Sequence, residues 1–160
     1  MTATFVQQRY LTLMQNTVAT LGHILKGVTS QEAATFRDGP NGWTTLEVVC
    51  HLRDYDEIFY QRAIMTLEQD NPTLPAYDQE ALAVERAYNR QDLGQAYADL
   101  TVSRQRLVAL FSELTAEQWD RVGQHPHYGP FTLATAALHV SWHDTLHLEQ
   151  ITRILTQRVG

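Results

Sequence analysis

Between Thr132 and Leu155 the chain reads TLATAALHVSWHDTLHLEQITRIL, an apolar stretch with His139, His143 and His147 at four-residue steps. Residues i and i+4 of an α-helix lie on one face, nearly above one another. Leu133, Ala136, Val140, Leu146, Ile151 and Ile154 share the arc of these histidines, so the face is expected to turn inward. Burying several imidazoles side by side is costly unless each finds a partner. A divalent metal is the partner that best suits neutral imidazole nitrogens.

The rest of the chain offers helices to cover that face. Phe5, Tyr10, Leu11, Met14, Val18, Leu21 and Leu25 recur at helical spacing, predicting a helix over roughly Thr4–Leu25 that stops at Gly27. A second helix starts at a capping box, Thr44 with Glu47. Trp43 and Val48 stand at the positions of a hydrophobic staple. It runs to about Glu68, and Asn71-Pro72 closes it. A short helix near Asp78–Tyr88 follows the connection NPTLPAY. The third long helix spans roughly Leu93–Leu114, and Thr115 with Gln118 makes another capping box. The segment RVGQHPHYGP reads as a loop, after which Phe131 and Thr132 open the last helix, to about Gln157. These elements predict an all-α four-helix bundle, residues 1–160 as one domain, with short extra helices in the connections. About twenty residues separate the second and third long helices, enough for a crossover between parallel neighbours.

Composition narrows the function. The net charge is −6, and no cluster of Lys or Arg offsets it, which argues against nucleic acid as a partner. No apolar run approaches the roughly 20 residues needed to span a bilayer. The start MTATFVQQRYLTLMQN lacks the pattern of a secretory signal. Cys50 is the only cysteine, so no intrachain disulfide can form. A cytoplasmic protein with no membrane partner is expected.

His51 lies on the second helix within about 100° of Val48, Leu52, Tyr55, Ile58 and Phe59, inside the arc expected to be buried. If the helices face each other, His51 meets the stripe of the last helix. Three protein ligands leave a coordination position open, as catalytic zinc sites do. The plain alternative is that each histidine is a hydrogen-bonded core residue. By spacing alone, His139 with His143 is as good a pair as His143 with His147. Glu47, one turn before His51, is a candidate to orient a ligand or take a proton; otherwise it only closes its capping box. His139 is a candidate to line the site. Asp144 follows His143 where a zinc protease would carry glutamate, but aspartate is too short, and the position lies towards the edge of the buried face. Cys50 points about 100° away from His51 and is read as structural. His125 and His127 are read as solvated loop residues. Tyr55, Arg62 and Tyr128 are candidate lining residues, and His23 sits near a helix C-terminus.

In their order and spacing, GWTTLEVVCHLRDYDEIFYQR, HPHYGPFTL and HVSWHDTLHLEQI make the chain resemble the DinB/YfiT-like superfamily. The resemblance covers nearly the whole length. It implies a twisted bundle of up-down-down-up topology, often a homodimer, with a divalent metal held by His51, His143 and His147. Zinc and nickel both accept imidazole. It also implies a small-molecule substrate, through hydrolysis or through transfer to a low-molecular-weight thiol such as bacillithiol or mycothiol. The expected function is therefore a metal-dependent thiol S-transferase or hydrolase acting in stress or detoxification. The alternative is a non-catalytic, metal-stabilised dimeric ligand-binding module. For such a dimer, Val49, Tyr60 and Ile64 are the candidate contact face.

Overall fold

The structure is a computed structural model and describes residues 4–159. Along the chain run α1 (Phe5–Ile24), α2 (Ser30–Thr35), α3 (Thr45–Glu68), α4 (Gln79–Glu85), a 3-10 turn (Tyr88–Arg90), α5 (Leu93–Ser112) and α6 (Ala116–Trp119). A hairpin of β1 (Val122–His125) and β2 (Gly129–Thr132) then leads into α7 (Leu133–Leu155), which ends in a 3-10 turn (Thr156–Val159). The long helices begin where their sequences supply a side chain for orphaned backbone N–H groups. Thr4 with Gln7 and Thr44 with Glu47 close full capping boxes, while Asp92 caps α5 and Thr132 caps α7. Each such cap contributes about 1 kcal/mol.

The four long helices form a bundle in which α1 and α3 both pack against α5 and α7. Cross-helix contacts give their directions. Ser141 donates to the Tyr10 carbonyl, and Leu21 and Leu25 share a core cluster with Ile151 and Ile154, so α1 and α7 run parallel. Tyr97 donates to the Val18 carbonyl and Arg104 to that of Met14, so α5 is antiparallel to α1. Leu52 clusters with Ala96 and Leu100, and Ala63 with Leu107 and Phe111, so α3 and α5 are parallel. His51 meets His143 while Phe59 meets His139, so α3 and α7 are antiparallel. The topology is up-down-down-up, as expected. The parallel pair α3 and α5 requires the crossover that carries α4.

The core is divided. One apolar cluster holds Leu21, Leu46, Leu52, Leu100 and Ile151; the other holds Met14, Phe59, Leu107, Phe111 and Val140. Between them a polar layer crosses the bundle. Arg104 on α5 binds Asp56 on α3 (Nε to Oδ1, 3.0 Å) and Asp144 on α7 (Nη2 to Oδ1, 2.9 Å), and donates to the Met14 carbonyl of α1 (2.8 Å). One guanidinium thus ties all four helices. Asp144 is fully buried, not at the edge of the face, and Leu146 is exposed rather than inward. The buried arc of α7 runs through Asp144 because Arg104 neutralises it, a partner forty residues away. Val49 is also fully buried and forms no outer contact face, while Tyr60 and Ile64 are half-buried.

The segment read as a loop after α6 is in fact the hairpin. The buried positions of β1 are Gly123 and His125, so the apolar alternation that marks a strand is missing there. A side chain at Gly123 would press on Thr66 and Leu74, which is why β1 can lie against α3 and the crossover. Gly129 takes a left-handed backbone (φ 70°) after the three-residue connection 126–128, as such hairpins require. Backbone bonds from Leu74 to Gln124 and from Gln124 to Pro72 stitch the crossover to β1. The hairpin and the start of the crossover therefore stand together at one side of α3. The short helix α2 was also not anticipated; a six-residue helix shows little periodicity.

Candidate metal centre and its cavity

His51 reaches the bundle interior from the second turn of α3, and His143 and His147 from successive turns of α7. His51 Nε2 lies 3.0 Å from His143 Nε2, and His147 Nε2 lies 3.1 Å from the same atom. One ring nitrogen from each of the three falls within 4.8 Å of the others. Two nitrogens bound to one zinc at tetrahedral angles would be about 3.3 Å apart. The spacing of these atoms therefore fits a single cation.

The protonation states agree with that fit. Burial, then the neighbouring His147, pushes His51 down to about 3. Burial and the adjacent histidines hold His143 far below the usual imidazole value, and burial lowers His147. All three rings are neutral near pH 7, the form that ligates metals. His147 Nδ1 donates to Gln150 Oε1 (2.7 Å), which directs the Nε2 lone pair inward. Gln150 is itself held by Asp38 (3.0 Å), and Asp38 by Arg153 (2.9 Å). Tyr55 stacks on His143 at 3.8 Å, and Trp43 meets His51 edge-on at 4.9 Å. The three Nε2 atoms converge inside an aromatic shell, and with all three unprotonated a cation would satisfy them.

The centre opens on a cavity of about 760 Å³. Its walls include His51, Tyr55, Arg62, Tyr128 and His139, so the four candidate lining residues do line it. His139 is half-buried, its ring 6.4 Å from that of His143 and outside the group of three. It packs between Phe59 (5.7 Å) and Tyr128 (5.5 Å) with its imidazole on the wall. His125 is not solvated: it is 7% exposed, and its Nε2 lies 3.1 Å from Arg62 Nη1. His127 does face solvent. The strand pairing of His125 turned its ring inward, and sequence reasoning missed this because it took the segment for a loop.

Glu47 is not brought to the cavity. Its Oε2 accepts from the Thr44 N–H (2.7 Å) and from Arg37 (3.2 Å), on a separate face lined by Arg37 and Trp43. Cys50 is buried, and desolvation pushes its thiol up to about 12, which suits a structural role. No described helix is long and apolar enough to cross a membrane.

Fold and site together define a helical-bundle protein with a three-histidine centre beside an open cavity. The family model of the DinB superfamily matches residues 5–151, and the chain belongs to that superfamily. A protein of Oceanobacillus iheyensis named "Putative metal-dependent hydrolase" is 30% identical over 141 residues, covering 88% of this chain and 80% of its own. YfiT of Bacillus subtilis, which carries the same description, is 29% identical over 156 residues, covering 96% and 86%. The solved structure of YfiT, described as having an unusual four-helix bundle topology, superposes with a TM-score of 0.86 at 28% identity, covering 96% of this chain and 87% of that one.

Proposed function

We propose that this protein is a metal-dependent enzyme in which His51, His143 and His147 hold one divalent cation, zinc or nickel, facing the cavity. The observation that carries the reading is the convergence of three neutral Nε2 atoms with no fourth protein ligand in the group. A cation bound there supplies Lewis acidity and activates a water or a thiol. Hydrolysis is the first reading, supported by the descriptions of the relatives. Transfer to a low-molecular-weight thiol is the other reaction the same centre supports. His139, a neutral imidazole on the cavity wall, is placed to take or deliver a proton; burial and then Arg62 hold its pKa below the ordinary value. Tyr55 orients His143 by stacking, and Gln150 orients His147.

The test is metal analysis of untagged protein purified without chelators, beside a His143→Ala/His147→Ala variant. About one equivalent in the parent and loss in the variant is expected, and equal substoichiometric metal in both ends the proposal. Hydrolytic and thiol-conjugation screens of the loaded protein then separate the two reactions. A second reading is a non-catalytic homodimer that uses metal for stability. It draws support from Leu138, Trp142 and Leu146, half-exposed apolar side chains at successive turns of α7. Chelation that lowers the melting temperature, with no activity in either screen, would favour it.

A further inference from the structure

Arg62 is a buried charge without a counter-ion. It is 8% exposed, and among the described residues no carboxylate forms an ion pair with it. A guanidinium does not escape burial by losing its proton. Leaving it unpaired is strongly unfavourable. Its present partners are neutral. Nη1 faces His125 Nε2 at 3.1 Å, and Nη2 donates to the Pro75 carbonyl at 2.7 Å. Nε is buried with no hydrogen-bond partner, so most of the five N–H donors are unspent.

The surroundings hold this group in place rather than neutralise it. Its Cζ lies 5.3 Å from the Phe59 ring and 5.3 Å from that of Tyr77, which keep the planar fork between two aromatic faces. The acids around the cavity are committed elsewhere. Asp54 accepts from Arg53 and Arg86 (both 2.8 Å) and from Tyr88. Asp78 caps α4, and Glu80 accepts from Trp43 Nε1 (3.0 Å).

We propose that Arg62 is the anion-binding end of the cavity and receives a carboxylate or phosphate group of the substrate. Arg62 and His51 stand on the same helix about three turns apart, roughly 16 Å of rise. On the reading that the histidines hold the catalytic cation, the substrate is an elongated small acid. Its oxyanion sits at Arg62, and its reacting group lies towards the three histidines. Neutral analogues of the same length are poor ligands, because they leave the buried charge unmatched.

The test follows the Arg62 Nε–H resonance of the full-length protein by nuclear magnetic resonance during titration with acetate, inorganic phosphate or neutral acetamide at constant ionic strength. A saturable shift with acetate or phosphate and none with acetamide is expected, and the tighter of the two anions assigns carboxylate or phosphate chemistry. By calorimetry, Arg62→Gln should weaken that anion at least about tenfold, with Arg62→Lys between the two. The shift should persist in His143→Ala/His147→Ala. No shift with either anion, an equal shift with acetamide, or loss of the shift in the double-histidine variant overturns the proposal. The parent resonance decides the matter even if Arg62→Gln fails to fold. Metal stoichiometry is read separately, so failure here leaves the metal reading standing.

Discussion

Replacing Arg104 by Met should be among the most damaging single changes in the bundle. The arginine side chain is 3% exposed and both aspartates it binds are 0% exposed. Methionine fills much of the same volume but leaves Asp56 and Asp144 as two carboxylates in one apolar interior. Breaking a buried pair from one side costs about 3–5 kcal/mol. Here two carboxylates and the Met14 carbonyl lose their donor together, so the upper part of that range is expected. Urea unfolding at neutral pH measures it, with the m-value checked for constancy. The loss should shrink in acid. Burial already raises Asp56 to about 6 in the presence of the arginine, and Asp144 is raised too. Without the arginine both carboxylates take up protons more readily. Below its folded pKa in the variant each recovers about 1.4 kcal/mol per pH unit relative to the parent, until the parent's own raised pKa is reached, about 6 for Asp56. A triple variant with apolar residues at 56, 104 and 144 should return to within about 1–2 kcal/mol of the parent, since such replacements are often neutral or better. A cost for Arg104→Met below about 1 kcal/mol, or one that does not change with pH, would refute the reasoning.

His125 should make stability fall in acid. Burial, then Arg62, pushes it down to about 4, against about 6.5 in the unfolded chain. Its contribution is therefore complete above pH ~6.5 and is lost as pH falls towards 4; unfolding titrations of the parent and His125→Asn should diverge by about 1–2 kcal/mol near pH 5. Glu47→Ala opens the capping box of α3 and releases Arg37, so a loss of about 1 kcal/mol is expected with the metal content unchanged. Loss of metal in that variant would place Glu47 in the centre after all.

Much of the candidate site could be read from spacing because its parts are local. Residues 143 and 147 share a helix face whatever the rest of the chain does, and the capping box of Thr44 and Glu47 sets the start of α3 and with it the direction of His51. Periodicity likewise exposed the four long helices to within a few residues. Other features had no local signature. The hairpin hid because Gly123 and His125 occupy the inward positions where apolar residues are sought. Spacing alone therefore reads His125 as solvated and Arg62 as one lining residue among several, though the pair forms one wall of the cavity.

Helix periods, caps and the histidine stripe depend on a few neighbouring residues, and the order of amino acids alone determines them. The Arg104 layer, the burial of Asp144 and Val49 and the unpaired charge of Arg62 depend on groups brought together from α1, α3, α5 and α7 or across the crossover. A charge is tolerable in the interior only once its partner arrives, and that partner can stand anywhere in the chain. Tertiary packing alone decided which polar residues were enclosed, because enclosure is a property of the assembled helices and not of any one of them.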